Sequence, residues 1–481
     1  MSGDRYVPPG HHRSVAAFRE HLRALDPAFD ADETLLGAAG PLGAPLRVDG
    51  RVIGNRFCVQ PMEGWDATTD GGPTARTLRR WAKFGRSGAK LVWGGEAFAV
   101  RLDGRANPNQ LALGDDDGAA LANLRALLGE LQRAHREAGF ALDDLVVGLQ
   151  LTHSGRWSRP LGPKAPRTAL RHAELDRRVE IADDSTLFRD DELDALALDY
   201  ARAAVIAKRA GFAFVDVKCC HGYLLHELLG ARGRRGPHGG SFENRTRLFR
   251  AIVAAIRAAA PGLAIGVRLS VIDVPIHGKD QTSGIGRPLD GEPGAADWYG
   301  FGIDAGGRPS LDEPLRFLRE LRGLGIRLVN LTIGSPYTCP HAQRPAAYPP
   351  SDGYLPPEDP LLSVIRHLRV TREVKRAVPE LAIVGTGYSY LQEWLPHVAQ
   401  HELREGHVDF IGLGRSMLSY PELPADVLRS ASLDRRRICR TLSDCTTAPR
   451  KGLPSGCYPL DPEYRSSDEA KVLARLKQDA R

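Results

Sequence analysis

The sequence predicts an α/β fold in which eight short strands alternate with helices and close most simply into a (β/α)8 TIM barrel. Three observations predict it. Eight β-branched or apolar runs of strand length recur along the chain. Amphipathic segments with helical spacing lie between them. The long Pro/Gly-rich insertions all follow strand C-termini, the face on which barrels of about 250 residues build their sites. A doubly wound open sheet has the same alternation and stands as the rival, since strand count does not separate the two.

Residues 1–45 are rich in Pro, Gly and His and hold one helix, 14–25; they read as an N-terminal extension on the outside of the fold. The barrel is expected over 46–430. Its first four strands fall at 57–60, 91–93, 145–151 and 214–218, and the other four at 265–269, 328–332, 381–385 and 410–413. Helices are expected at 119–138, 192–210, 245–260, 311–324 and 361–377, among others. Insertions occupy 159–190 after the third strand, 272–309 after the fifth and 334–360 after the sixth. Loops of that length suit a lid or substrate cover, and equally the contacts of a homo-oligomer. Residues 431–481 read as a cysteine-containing C-terminal cap.

Composition narrows the function classes. Hydrophobic residues make up 42% of the 481 and charged residues 26%, ordinary for a soluble globular protein. The net charge of +6 comes from interspersed Arg and Asp/Glu without a basic block, which argues against a nucleic-acid partner. No apolar run approaches the ~20 residues of a membrane helix. The N-terminal stretch lacks the apolar core of a secretory signal, so a cytoplasmic address is the expectation. Seven cysteines are too few for a disulfide scaffold. Cys439, Cys445 and Cys457 sit close together in sequence, which raises metal binding as a question.

The strand ends carry the chemistry. In order they present Gln60, Pro61, Met62 and Glu63, then Glu96 and Ala97, then Gln150 with His153 and Arg156. Lys218, His221 and Tyr223 follow, then Arg268, the turn Gly385-Thr386-Gly387 and finally Gly412-Leu413-Gly414-Arg415. Glycine turns after the seventh and eighth strands leave backbone N–H groups free at the rim, where barrels often hold phosphate. Arg415 adds a bidentate phosphate partner, unless it is only a surface cation. Lys218, His221 and Tyr223 put a cation, an imidazole and a phenol at one strand end, the makings of a reaction site.

In combination these motifs resemble the old yellow enzyme family of FMN-dependent oxidoreductases. They are N-R-x3-x-P-M from Asn55, Q-L-x-H-x-G-R from Gln150, H-G-Y-L-x-H-E-L from His221, G-x-x-x-N-R from Gly240 and the terminal L-G-R. The likeness is greatest to the branch of 2,4-dienoyl-CoA reductase and trimethylamine dehydrogenase, and it covers 46–421 with traces to 459. It implies FMN as cofactor, with NADH or NADPH as electron donor and a small-molecule substrate. It implies FMN contacts from Pro61, Met62, Glu63, Ala97, Gln150, Arg268, Gly385, Gly387, Gly414 and Arg415. Gln150 would face the flavin pyrimidine edge. Arg268 would lie near flavin N1, where a fixed cation stabilises the anionic reduced ring, or else form an ion pair inside the barrel. Catalysis would fall to Lys218 and His221, holding a substrate oxygen, and to Tyr223 as proton donor.

Three departures from the family pattern stand out. The usual His-x-x-His or His-x-x-Asn begins here with Lys218, whose ammonium suits an anionic oxygen. Asp216, two residues back on the same strand face, is the competing partner for that charge. Glu63 stands where relatives carry Thr, Cys or His; it either tunes the flavin or turns away to an arginine. The branch's [4Fe–4S] motif, C-x2-C-x3-C-x11-C, survives only as Cys445 and Cys457, with Ile438 and Thr441 at the first two ligand positions and Cys439 out of register. The expectation is a remnant without a cluster and no metal site, a zinc site with a His or Asp ligand being the minor alternative. Cys219 and Cys220 read as packing residues, and His226 and Glu227 as structural ones.

The reaction expected is ene-reduction: reduced nicotinamide reduces FMN, and FMN N5 passes hydride to an alkene activated by an oxygen-bearing group, neutral or anionic. The first alternative runs the flavin oxidatively, as amine dehydrogenases and N-demethylases do. Two further alternatives are a flavin-binding protein without turnover and a flavin-free aldolase-type barrel.

Overall fold

The computed structural model describes residues 5–289 and 300–479, so residues 290–299 of the insertion expected after the fifth strand lie outside the described residues. Eight parallel strands form the centre: β1 Phe57–Val59, β2 Leu91–Val92, β3 Val146–Thr152 and β4 Phe214–Val217, then β5 Ala264–Ser270, β6 Leu328–Thr332, β7 Ala382–Gly385 and β8 Phe410–Leu413. Each pairs with its sequence neighbour, β8 pairs with β1 through Ile411↔Phe57, and β2 meets β3 through Leu91↔Val146. The ring is closed, which disposes of the open-sheet rival. A short strand, Ala97–Ala99, adds to β3 beyond its pairing with β2.

A principal helix follows each strand: α1 Ala75–Arg86, α2 Asp117–Glu137, α3 Asp190–Ala210 and α4 Arg247–Ala259, then α5 Asp312–Gly323, α6 Pro360–Ala377, α7 Leu395–Arg404 and α8 Leu423–Ser430, with shorter helices in the loops. Their starts are set by local chemistry. Thr74 caps α1 in a reciprocal pair with Thr77, Asp116 accepts from Gly118 and Ala119 ahead of α2, and Asp359 caps α6 just before Pro360. Apolar stripes on these helices, such as Leu124, Leu127 and Leu131 of α2, are fully buried against the outer face of the barrel. Truncating one of them to alanine would cost about 2–5 kcal/mol.

The bottom of the barrel is filled by side chains from strand starts: Leu91, Val146, Phe214, Leu328 and Phe410, with Trp93 edge-on to Phe214 at 5.3 Å. Gly148 makes room there, since a Cβ on it would lie 2.3 Å from the Phe214 ring. A hairpin, Leu46–Val48 with Arg51–Ile53, closes that end. The upper interior is polar, and the strand C-termini open into a cavity.

Both ends of the chain pack on the barrel. The N-terminal helix Val15–Leu25 stacks Phe18 on Trp394, and Trp394 Nε1 donates to the Pro9 carbonyl at 2.7 Å. Residues beyond α8 run back over α1: Asp461 accepts from Arg79 and Lys83, and Tyr464 lies 2.9 Å from Arg80 Nη2. Ser455 N–H donates to the Gly64 carbonyl at 2.7 Å, which brings this segment over the cavity rim. Among the described residues, no helix is long and apolar enough to cross a membrane.

Candidate active site

The cavity above the strand C-termini has a volume of about 890 Å³. It gathers Pro61, Met62, Glu63, Gln150, Lys218, His221, Tyr223, Arg268, Gly387, Gly414 and Arg415 around one space. Ala97 and Gly385 are not among its lining residues. Ala97 is fully buried in the short strand beside Gln150, and Gly385 lies one step below the rim, where Thr386 and Gly387 take over.

The polar layer at the strand ends is built from fixed pairs. Gln60 and Asn330 exchange two amide hydrogen bonds of 3.0 and 2.7 Å across the barrel. Gln150 Nε2 donates to Asp216 at 2.6 Å, and the Arg268 backbone N–H donates to the same carboxyl at 2.6 Å. Burial pushes the Asp216 carboxyl up to about 6. Asp216 is therefore taken, and it is not the partner of Lys218. Lys218 instead faces Glu63, Nζ to Oε1 3.7 Å, and rests on the Tyr223 ring with Nζ 3.9 Å from its centroid. Glu63 also accepts from Trp65 Nε1 at 2.5 Å, so it turns to a lysine and an indole and not to an arginine. Two departures from the family pattern thus meet each other.

His221 is held in a left-handed backbone conformation, φ 67, and Gly222 beside it at φ 74. A non-glycine residue there carries strain of about 1–3 kcal/mol and persists only when its surroundings over-determine it. Here Ser270 Oγ accepts from the His221 N–H, and Ser335 Oγ donates to its carbonyl at 2.7 Å. The ring Nε2 lies 3.1 Å from Gln343 Nε2. Burial, then Arg268 and Lys218, hold the imidazole well below its ordinary pKa, so it is neutral. Tyr223 lies at the start of the next helical turn, its hydroxyl 3.2 Å from that of Tyr337. Burial, then Glu63, keep the Tyr223 phenol protonated far above its ordinary range. Tyr337 itself stacks on Trp157 with ring centroids 4.3 Å apart.

Two buried guanidinium nitrogens in this layer lack a partner: Arg268 Nε and Arg415 Nη1. Arg415 is 7% exposed, and its Nη2 donates to the Pro345 carbonyl at 2.6 Å. Beside it the backbone lies open. Gly387 has φ 97, and a Cβ on Gly414 would press on Met62 Sδ at 3.2 Å. Unpaired buried donors next to free glycine backbone are what an anionic ligand completes.

Other motif residues hold the scaffold. Arg156 donates to Glu227 at 2.8 Å and also pairs with Asp176, joining two of the sequence motifs. His153 lies 3.7 Å from Asp103, and His226 accepts from the Gly222 N–H. Cys219 and Cys220 are buried. Cys445 lines the cavity, and among the described residues no three His, Cys, Asp or Glu side chains are grouped to hold a metal.

The sequence reading missed Tyr337, Gln343 and Arg344. All three lie on the loop after β6, which folds over the cavity and touches Tyr223, His221 and Arg415 in turn. The signal available was the length and placement of that insertion.

Comparison with known proteins places this arrangement. The sequence profile of the NADH:flavin oxidoreductase / NADH oxidase family matches residues 41–287. An NADPH dehydrogenase of a Geobacillus species is 25% identical over 392 residues, covering 80% of this chain and 92% of that protein. An NADH:flavin oxidoreductase of Gibberella zeae is 30% identical over 246 residues, covering 48% of this chain and 56% of the relative. The structure of 2-naphthoyl-CoA reductase with 2-naphthoyl-CoA superposes with a TM-score of 0.64 at 17% identity, over 88% of this chain and 57% of that one. This chain thus spans little more than half the length of these last two proteins.

Proposed function

The chain belongs to the NADH:flavin oxidoreductase / NADH oxidase family, whose members use FMN with NADH or NADPH, and we propose that its own reaction is the reduction of an activated alkene. The observation that carries this reading is the buried, protonated Tyr223 phenol facing the same cavity as a neutral His221 and the Lys218 ammonium. Three proton or hydrogen-bond donors around one space suit a substrate that gains charge on oxygen and a proton on carbon.

The residues fit FMN. The unpaired Arg268 Nε and Arg415 Nη1, the free backbone at Gly387 and Gly414, and the volume of the cavity are what a flavin ring and its phosphate need. On this reading Gln150 and Arg268 hold the pyrimidine edge, Gly387, Gly414 and Arg415 hold the phosphate, and Pro61, Met62 and Glu63 border the ring. Bound FMN supplies hydride to carbon, drawn from NADH or NADPH. Lys218 and His221 hold the substrate oxygen. The Tyr223 hydroxyl gives its proton to the carbon next to the activating group and regains one from solvent, so that alkene, hydride and proton balance as the saturated product.

A free negative charge on Glu63 near the flavin would favour oxidative amine chemistry, because it disfavours the anionic reduced ring. That charge faces Lys218 at 3.7 Å, which removes most of its bias. The test is an anaerobic titration of the FMN-loaded protein with NADH and NADPH, followed by 2-cyclohexenone. Nicotinamide should bleach the flavin and the enone restore it. Tyr223→Phe should keep the bleaching and slow the restoration by about 10²–10⁴-fold. A colourless protein that takes up no FMN would refute the flavin assignment. Bleaching by an N-methylated amine, with no reoxidation by enones, would refute the reductive direction.

A further inference from the structure

We propose that Arg344 is the anchor for a carboxylate on the substrate, so that the enzyme reduces alkenes carrying an activating carbonyl at one end and a carboxylate at the other. This rests on the ene-reduction reading and names its substrate class.

The argument is one of unbalanced charge. Most cations around the cavity already face an acid: Lys218 faces Glu63, Arg450 faces Asp352 at 3.1 Å, and Arg177 and Arg178 share Glu174 at 2.8 Å. Arg268 and Arg415 are the two assigned to the flavin. Arg344 lines the same cavity, and among the described residues its guanidinium has neither an ion pair nor a side-chain hydrogen bond. Burial, then the neighbouring Arg415, draw its pKa down to about 10, and no carboxylate stands among the groups that act on it most. A partly buried cation beside a second cation is costly until an anion arrives.

Its position says what the anion belongs to. Arg344 ends the short helix Pro340–Gln343. Its neighbour Gln343 reaches the His221 ring, and Tyr337 on the same loop reaches the Tyr223 hydroxyl. The loop therefore carries the guanidinium beside the residues assigned to the substrate oxygen and the proton. A guanidinium matches both carboxylate and phosphate in shape. One guanidinium with the Tyr337 hydroxyl nearby balances a monoanion such as a carboxylate. The sequence favoured Lys218 for an anionic group. With Glu63 opposite Lys218, the least exposed open charge is that of Arg344, since Arg159 and Lys279, which also line the cavity without an acid partner among the described residues, are exposed to solvent.

The experiment uses the FMN-loaded enzyme with NADPH and a matched pair of substrates, a 4-oxo-2-enoate and its methyl ester. Wild type should prefer the acid by about ten-fold or more in kcat/KM, and added salt should erode that preference. Arg344→Gln should abolish it, mainly through KM for the acid and with a far smaller change for the ester; Arg344→Lys should keep part of it. No preference for the acid in wild type would overturn the proposal. So would loss of FMN from Arg344→Gln, which would place Arg344 in the phosphate clamp. A rise in KM for NADPH alone would assign it to the electron donor. If neither substrate reoxidises the reduced flavin, the ene-reduction reading fails by itself. Arg344 is then judged by whether the acid, and not the ester, perturbs the flavin spectrum of the oxidised enzyme, and whether Arg344→Gln removes that perturbation; no such difference overturns the proposal.

Discussion

Lys218 and Glu63 act as one unit at the centre of the cavity. Lys218 is 4% exposed and the Glu63 side chain 18%, so removing either leaves the other poorly solvated. A double-mutant cycle with Lys218→Met and Glu63→Gln, read by urea unfolding at fixed FMN excess, should give a coupling of about 1–3 kcal/mol, the double variant losing less than the two singles together. Additivity within about 0.5 kcal/mol would mean the two do not act as a pair. Each residue was visible in the sequence as a departure from the family pattern. Their partnership was not, because β1 and β4 stand across the barrel and no local spacing links them. The nearer guess, Asp216, shares a strand face with Lys218 but is drawn to Gln150 and the Arg268 N–H. Tyr223 carries a pH signature. Its pKa is raised, so it keeps its proton to higher pH, and the alkene half-reaction should show no alkaline loss from this group up to about pH 9. A fall in reoxidation rate below that pH that Tyr223→Phe abolishes would contradict this.

The element that ties most of the rim together is α1. Its Arg80 donates to Asp66 and to Glu96, and also reaches the Ser455 carbonyl and the Tyr464 hydroxyl. Gly64 runs so close above it that a Cβ would fall 1.9 Å from an Arg80 nitrogen, and the Gly64 N–H donates to Glu96 at 2.7 Å. One cation thus fixes the turn after β1, the end of β2 and the C-terminal segment. Burial pushes the Glu96 carboxyl up to about 7, above its unfolded value of 4.5. The folded state therefore holds a proton that the unfolded chain releases. The stabilisation from Glu96 is fully present below pH 4.5 and is lost as pH rises through about 7. The Tm of wild type relative to Glu96→Gln should fall between about pH 5 and about pH 8; parallel Tm profiles would refute it. The strands themselves were legible as apolar runs, and helix bounds came within a few residues, because burial writes itself as periodicity. The loop after β6 was visible only as an insertion. Its hold on Tyr223, His221 and Arg415 comes from a hydroxyl, an amide and a backbone carbonyl, which leave no period to read.

At the scale of the molecule, barrel closure and cavity charge belong together. The alternation of strands and helices fits an open sheet as well, and closure became definite only with the pairing of Leu91 and Val146. Closure sets the ends of all eight strands around one mouth, where basic side chains outnumber acidic ones among the lining residues. Without a bound anion these charges repel one another, and Arg268 Nε and Arg415 Nη1 stay buried and unpaired. The FMN-free protein should therefore be less stable than the loaded one, with a gap that grows with FMN concentration as binding linkage requires. The phosphate share of that gap can be isolated. Inorganic phosphate alone should raise the Tm of the FMN-free protein in proportion to the logarithm of its concentration, and chloride at equal ionic strength should not. Arg415→Gln should remove the phosphate response while leaving riboflavin, which lacks the phosphate, bound as before. If phosphate leaves the Tm unmoved, or if Arg415→Gln weakens riboflavin and FMN alike, the phosphate lies elsewhere on the rim and Arg415 serves only to pin the loop after β6 through Pro345.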